Sequence, residues 1–466
     1  MDTKTEQGQV QHVEDQSMDQ QITLWFLFKF SLPTIVSMVF MGISGIVDGV
    51  FAARFIDAYA LSAVGLVTPF VMFALSIGFM LGAGGNALVA KEIGEGKLDW
   101  ARRDFTLIVI FATLISALIS ALGAIFPDTV LSILGVNAYV HEISLRYLMP
   151  LLPFLPLGGL GMILQQFMIT EGKAHYGMIA TILSGVLSAA LNWVFIYRMH
   201  MGIQGAALAT GIAYSVPTVI GLIFFTFNRN GVLYFVIPKL KIFVLLKSAT
   251  NGMSEMVTML SSSITQTIMN NILMDIDGPM AVASAGIIMA GVGMAANVYT
   301  GYAAGVAPIF SYNYGKKDEK ALKTLFQYSF TIVVMLALSV TVLTFVFADL
   351  LILIYDIDPL VYIGTFVIAL PVYDMAFVGI RIVSLGSVFM AINTFASVLF
   401  TSFNDGKISG LIALCNGFIF IILCMVLFSN LWGVNGVWIA IPAADILTLM
   451  VSGYLLIKYR KVFKYA

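Results

Sequence analysis

Long apolar segments recur along almost the whole of this 466-residue chain, most of them 20 residues or more in length. A helix needs about 20 consecutive apolar residues to cross the hydrocarbon core of a bilayer. Charged residues make up only 11% of the chain and hydrophobic residues 60%, which is far from the composition of a soluble protein. The sequence therefore predicts an all-α integral membrane protein.

Twelve transmembrane helices can be delimited from this pattern, and an even number of spans returns the chain to the side on which it began. Pro150, Pro153 and Pro156 predict a kink within the fourth span. The predicted spans cover residues 22–53, 60–90, 102–126, 139–168, 174–199, 203–227, 242–274, 280–312, 320–354, 376–402, 407–429 and 434–458.

Lysine and arginine cluster in a few short segments, at residues 91–103, 229–247, 316–323 and 458–464, whereas the alternate connections are poor in them. Loops rich in these residues stay on the cytoplasmic side of a membrane. We therefore expect a multi-pass protein of the inner (plasma) membrane with both termini in the cytoplasm.

The second half of the chain repeats the first. A shift of 221 residues places "ALSAVGL" (60–66) on "AVASAGI" (281–287), and it places Gly84 on Gly305. Each half holds six spans, so the halves are parallel repeats related by an axis along the membrane normal. Such repeats usually enclose a substrate cavity and open it to alternate sides by rocking. A channel is the competing architecture, but we find no filter-like loop of glycine and carbonyl-presenting residues.

The predicted organisation is thus two six-helix lobes around a central cavity. The first twenty residues are polar and acidic, which is the wrong flank for a secretory signal. The predicted segments are a disordered cytoplasmic tail (1–21), an N-terminal lobe (22–227), a cytoplasmic linker (228–241), a C-terminal lobe (242–458) and a basic cytoplasmic tail (459–466).

Few carboxylates fall inside the predicted spans. Asp48 lies in the middle of the first span, within "GISGIVDGVF" (42–51), where a carboxylate costs about 2.5–3.5 kcal/mol. Glu255 lies about two turns into the seventh span and Asp445 near the middle of the twelfth. A desolvated carboxyl can carry a proton, or when ionised it can pair with a monovalent cation or a positively charged substrate. The alternative is a structural hydrogen bond to a neighbouring helix.

Neutral polar residues could complete a site in the first lobe. Ser188 and Asn192 are one turn apart on the fifth span and therefore share a face. Thr210 lies in the small-residue stretch "GAALAT" of the sixth span. Serine and threonine in membrane helices also bond to their own backbone, and small residues form packing surfaces, so a structural role is the alternative for each.

The sequence indicates neither a cofactor nor a metal centre. Its four histidines are scattered, and Cys415 and Cys424 lie nine residues apart in one predicted helix without a nearby histidine. A formal net charge of −1 offers no basic surplus for nucleic acid.

Several motifs together resemble the multidrug and toxic compound extrusion (MATE) transporters, particularly the DinF-like bacterial branch. They spread over the whole chain after the acidic tail, and "PIFSYNYG" and "FNDGKISG" are the most specific of them. The stretches that carry the resemblance are 45–69 ("GIVDGVFAARFIDAYALSAVGLVTP"), 82–94, 202–210 ("GIQGAALAT"), 301–317, 400–410 and 433–448.

The resemblance implies a monomeric twelve-helix antiporter that exports organic cations or related small molecules in exchange for inward H⁺ or Na⁺. Asp48 matches the family's first-span carboxylate, a cation or proton site. Ser188 falls where members often have Asn, Thr210 matches a polar position, and Glu255 resembles a glutamate that some branches use. Asn192 falls where many members have Asp, and because it cannot titrate, Asp48 would act alone in the first lobe.

Two other functions compete with this interpretation. A flippase of lipid-linked precursors, from the same superfamily, would need a basic cavity, whereas the membrane charges here are acidic. An integral membrane enzyme would need a cluster of catalytic side chains, and no "HExxH", Asp-rich motif or Ser/His pairing occurs. A short insertion relative to the family is expected near 365–370, and no role is assigned to it.

Overall fold

The computed structural model describes residues 20–55, 58–136, 138–353 and 366–466, and the regular elements in these ranges are helices. The first lobe holds spans 1 to 6. In chain order they are Leu24–Phe55, Ala58–Gly94, Leu98–Ile125, Ala138–Leu151 with Leu155–Thr170, Ala174–Asn192 with the π-helical Trp193–Arg198, and Gly202–Phe227.

The second lobe holds spans 7 to 12. Two of its helices contain two spans each, joined at a glycine with positive φ: Gly278 (φ 70°) and Gly433 (φ 58°). Only glycine adopts such angles without strain, so these glycines permit the reversals between spans. The helices are Met253–Lys316 (spans 7 and 8), Glu319–Val346, Phe366–Ser384 with Ser387–Ser402, Gly406–Leu414 with the π-helical Cys415–Ile419, and Phe420–Phe463 (the rest of span 11 and span 12).

The described ranges thus contain the twelve predicted spans, and the all-α fold of two six-helix repeats is confirmed. Span 4 is interrupted by a 3-10 turn, Leu152–Phe154, within the predicted proline cluster. Span 10 bends by 51° between its two helices. The expected insertion near 365–370 lies outside the described residues, apart from the helical backbone that begins at Phe366.

The repeat extends to an irregularity of the helices. Trp193–Arg198 in span 5 and Cys415–Ile419 in span 11 are both π-helical, and they are related by nearly the same shift as the sequence repeats. Single π turns inside helices frequently mark functional sites. In span 5 the π turn begins directly after Asn192.

The predicted start of span 7 was wrong. A separate helix, Ile242–Asn251, ends at Gly252, and span 7 begins only at Met253. A side chain at position 252 would collide with the Met80 carbonyl oxygen of span 2. The break therefore comes from a close contact between the lobes, which hydropathy does not register.

The two lobes meet closely at one end of the bundle, called here the basic end because it carries Lys91 and Lys316. Gly84 and Gly94 of span 2 lie against carbonyl oxygens of the second lobe, and Gly315 of span 8 lies against that of Lys91, leaving no room for a Cβ atom. Towards the opposite end, glycines of spans 1, 2 and 8 have open space in front of them, at Gly45, Gly65, Gly286 and Gly293. The lobes are thus sealed at the basic end, and they also touch further along span 1, where Gly42 packs against Asn297 of span 8.

The connection between the lobes, residues 228–241, is docked on the first lobe. The Glu171 carboxylate accepts hydrogen bonds from the backbone N–H groups of Val232 (2.8 Å) and Leu233 (2.9 Å). Arg102 Nε donates to the Val232 carbonyl at 2.8 Å. Burial raises the pKa of Glu171 to about 7, although the two N–H groups oppose this.

An ion pair formed by Lys241 also holds the linker on the first lobe. Its Nζ lies 3.0 Å and 3.2 Å from the two carboxylate oxygens of Asp104, which is fully buried in span 3. The linker therefore moves with the first lobe, and the freedom between lobes begins after it.

We expect Glu171→Ala to release residues 228–236 from the first lobe. The substitution leaves two partly buried N–H groups without an acceptor, at a cost of about 1–3 kcal/mol. Amide hydrogen exchange of Val232 and Leu233 should become roughly 10- to 100-fold faster, which mass spectrometry of linker peptides measures.

Glu319→Ala is the matched control, because Glu319 is an exposed carboxylate in a surface ion pair with Lys464. Unchanged exchange at Val232 in the Glu171 variant would show that the carboxylate does not hold the linker.

Candidate functional site

Two connected chambers lie between the helices. The first-lobe chamber, of about 860 Å³, is formed by spans 1, 2, 4, 5 and 6. The inter-lobe chamber, of about 1000 Å³, lies between spans 1, 2 and 4 of one lobe and spans 7, 8, 10 and 11 of the other. Met38, Phe79 and Gln166 line both, so the chambers adjoin each other, and together they are called the cavity here.

The walls of this cavity combine apolar and neutral polar side chains. Met41, Met162 and Tyr214 face the first-lobe chamber, together with serine, threonine and glutamine residues. Apolar walls with a few placed polar groups are the usual lining of small-molecule sites, and methionine adapts to differently shaped ligands.

Glu255 is the one charged residue among the described side chains that line either chamber. It lies in the first turn of span 7, so the expectation that it sits about two turns into the span was wrong. Neighbouring residues fix this turn: Asn251 Nδ2 donates to the Thr401 carbonyl at 3.0 Å, and the Ser254 and Thr401 hydroxyls lie 3.2 Å apart. The carboxylate is thus held at the wall where spans 7 and 10 meet.

Asp48 lies on the helical backbone of span 1, but its side chain lies outside the described residues. Its role stays a prediction. Its level in the bundle follows from a neighbouring contact, because Gly185 of span 5 packs directly against Ser44 and Phe40 of span 1. The two spans run in the same direction, so Ser188, about one turn beyond Gly185, lies level with the segment that carries Asp48.

Ser188 and Asn192 are both buried on span 5, whereas Val186 and Trp193 on the same span are exposed. The predicted shared face of Ser188 and Asn192 is therefore an interior face. Thr210 is half-buried on span 6. None of these three residues lines either chamber, so they lie behind the cavity wall.

Asp445 also lies behind the wall. It is buried in span 12, and its main-chain carbonyl accepts a hydrogen bond from Asn393 Nδ2 at 2.9 Å. Asn393 Oδ1 in turn accepts from the Ser452 hydroxyl at 2.7 Å, and Asn393 itself lines the inter-lobe chamber. Asn393 thus separates the Asp445 segment from the cavity.

Some polar residues of the cavity were missed by the sequence analysis. Gln166 lies in the apolar run of span 4 and reaches both chambers, and Asn393 belongs to span 10. Asn86 lines the inter-lobe chamber and accepts a hydrogen bond from the Thr170 hydroxyl. The sequence signal that could have identified these residues was a polar amide side chain within an apolar run. For metals, no group of three His, Cys, Asp or Glu side chains converges in the described part of the chain.

Comparison with known proteins gives the same architecture. Two curated relatives are each named "Multidrug export protein MepA": that of Staphylococcus haemolyticus is 23% identical over 88% of this chain and 88% of its own length. That of Staphylococcus saprophyticus is 24% identical over 92% of this chain and 93% of its own length.

Solved structures superpose over nearly the entire chain. An outward-facing multidrug resistance MATE family transporter of the MOP superfamily matches with a TM-score of 0.87 at 20% identity, covering 98% of this chain and 99% of that one. A mutant of the Vibrio cholerae MATE transporter VcmN matches with a TM-score of 0.84 at 19% identity, covering 94% of this chain and 98% of that one. This likeness is one of fold.

The decisive finding is the match to a family profile in both halves of the molecule. The profile described as MatE covers residues 33–194, which include spans 1 to 5, and residues 255–427, which include most of the second lobe. The resemblance inferred from the sequence motifs is thereby confirmed. This multi-pass membrane protein belongs to the MatE family.

Proposed function

We propose that the protein is a secondary active antiporter that exports amphiphilic and cationic small molecules across the plasma membrane. The observation that carries the proposal is the inter-lobe chamber, where Glu255 supplies a negative charge among apolar side chains such as Met38, Phe79 and Met390. Aromatic faces and a carboxylate both attract organic cations. The relatives named as multidrug export proteins support export of small molecules.

Alternating access is part of the proposal, and the seal between the lobes supports it. If the basic end is cytoplasmic, as the distribution of lysine and arginine favours, the described conformation is closed to the cytoplasm. Both termini would then be cytoplasmic. Rocking the lobes would open the glycine seal between Gly94 and Gly315 and close the opposite end.

Inward flux of H⁺ or Na⁺ is the proposed driving force. Asp48 would carry the charge, with Ser188, Asn192 and Thr210 as neutral ligands in the first lobe. The level of Ser188 beside the Asp48 segment and the burial of Asn192 support this grouping. Because Asn192 cannot titrate, Asp48 would work without a second carboxylate there. Oxygen ligands suit a bound cation as well as a proton.

In the second lobe we propose that Glu255, rather than Asp445, meets the substrate. Glu255 lines the chamber, whereas Asn393 stands between the chamber and Asp445. Asp445 remains a proposed acidic site that a proton could reach through this polar layer. A single chain encloses the cavity, so we propose a monomer as the working unit.

A lipid-linked precursor flippase is disfavoured by the same chamber. Recognition of a pyrophosphate would call for lysine or arginine at the cavity wall. Among the described lining residues of the two chambers, no Lys, Arg or His occurs.

We expect Asp48→Asn to abolish gradient-driven export while leaving substrate binding within about threefold. Asparagine keeps the size of the side chain but removes the charge that a coupling ion neutralises. Purified protein in liposomes, with a pH gradient and a sodium gradient imposed separately, gives the rate of dye efflux and the coupling ion together.

Asp275→Asn is the matched control for Asp48, since Asp275 is an exposed carboxylate at the far end of span 7. Full export by the Asp48 variant under either gradient would reduce Asp48 to a structural role.

We expect Glu255→Gln to weaken binding of a cationic dye about tenfold and to leave a neutral analogue of the same shape unaffected. The loss corresponds to about 1.4 kcal/mol, which lies between the values typical of an exposed and of a buried ion pair. Fluorescence titration of detergent-solubilised protein measures both affinities.

Glu319→Gln, on the exposed surface at the basic end, should leave both dye affinities unchanged. An equal loss for the neutral and the cationic dye would show that Glu255 shapes the chamber rather than attracting charge.

A further inference from the structure

An exposed apolar stripe runs along the linker and the separate helix before span 7. Within it, five large apolar side chains are each at least 60% exposed although they precede the membrane span: Ile237, Leu240, Ile242, Phe243 and Leu246. After the break at Gly252, Met253 at the start of span 7 is again exposed, at 44%, so the stripe leads directly to that span.

Two lysines flank this stripe without a counter-ion. Neither Lys239 nor Lys247 has a carboxylate within ion-pairing distance among the described residues. Lys239 is exposed, and Lys247 lies one turn beyond Phe243 on the same helix. Burial, together with repulsion from Lys91, lowers the pKa of Lys247, although the nearby carboxylates of Glu92 and Glu95 oppose this. An anionic partner would stabilise its charged form.

Lys247 faces a cavity of about 630 Å³ at the basic end, which Trp100 and Phe243 also line. The acidic residues of this cavity are largely occupied. Glu95 pairs with Lys97 at 2.6 Å and with Lys91 at 3.7 Å, and Asp104 pairs with Lys241.

Glu92 is the remaining carboxylate of that cavity, and its Oε2 atom is sealed from solvent without a hydrogen-bond partner. Among the lysines that line this cavity, Lys91 and Lys241 have ion pairs, and Lys247 has none with the described residues.

We infer that this surface binds an anionic phospholipid of the leaflet at the basic end. Its phosphate would lie between Lys247 and Lys239, and an acyl chain would lie along Phe243, Leu246 and Met253. A helix with an apolar face, exposed aromatic and aliphatic residues and flanking lysines is the arrangement that binds membrane interfaces, and lysines there favour anionic lipids. The inference rests on membrane insertion and does not depend on which substrate is exported.

Trp100 provides a local reporter, because it lines the cavity and its ring lies 4.4 Å from Lys241 Nζ. Full-length protein in nanodiscs would contain equal mole fractions of brominated phosphatidylglycerol or brominated phosphatidylcholine, since bromine quenches tryptophan at short range. The Trp100 signal is the difference between the native chain and Trp100→Phe. We expect at least twofold stronger quenching of that signal by the phosphatidylglycerol.

The double variant Lys239→Gln, Lys247→Gln should reduce this excess to the phosphatidylcholine value. Lys320→Gln with Lys323→Gln is the matched control, because both lysines are exposed in the first turns of span 9. That control should retain the full excess.

Three results would overturn the inference. The Trp100 signal could be quenched equally by the two lipids. This comparison does not depend on the folding of the lysine variants. The control pair could lose as much of the excess as the test pair, which would indicate general surface charge. Soluble glycerol phosphate at millimolar concentration could abolish the excess, which would indicate a site for a free anion instead of a lipid.

Discussion

The protein depends on one contact, the meeting of backbone with backbone between the two lobes at the basic end. Gly84, Gly94 and Gly315 bring helices so close that carbonyl oxygens of the opposite lobe occupy the space of a side chain. In hydrocarbon no hydrophobic force drives helices together, so close packing of small residues supplies much of the association. Side-chain contacts supplement this seal, such as the hydrogen bond from Asn404 Nδ2 to the Ala87 carbonyl at 3.3 Å, and the proposed rocking would have to break both kinds of contact.

The cavity lies between the same two lobes that meet at this seal, so its shape depends on how the lobes are arranged. Met38, Phe79 and Gln166 belong to both chambers, and Glu255 faces them from the second lobe. Movement between lobes therefore changes the surroundings of a bound molecule on both sides at once. A ligand shifts such an equilibrium only by its difference in affinity for the two states. A cation that binds between the Glu255 carboxylate of one lobe and apolar side chains of the other would have different affinities for the two states.

The sequence predicted the features that depend on local hydrophobicity, such as the membrane spans. It did not predict the features that depend on contacts between segments far apart in the chain. The twelve spans and the repeat followed from apolar runs and recurring motifs. The break at Gly252 did not, because the Met80 carbonyl that requires it is more than 170 residues away. Because of this break, Glu255 lies in the first turn of its helix. Asn393 lines the chamber and donates a hydrogen bond to the main-chain carbonyl of Asp445, whereas Asp445 does not line it. The role of Glu171 was also missed, since its partners are backbone N–H groups.

The attachment of the linker to the first lobe limits the region in which the two lobes could move relative to each other. Glu171 and Lys241 fasten residues 228–241 to the first lobe, so the helix that follows begins at a fixed point. At its other end this helix lies between the lobes, with Gly252 against Met80 of span 2 and Thr250 against Gly406 of span 11. Under the proposed alternating access, rotation of the second lobe would be absorbed around residues 250–253, where the helix is broken. Glu255 lies three residues after Gly252, so the group proposed to meet the substrate lies beside the joint about which the lobes would turn.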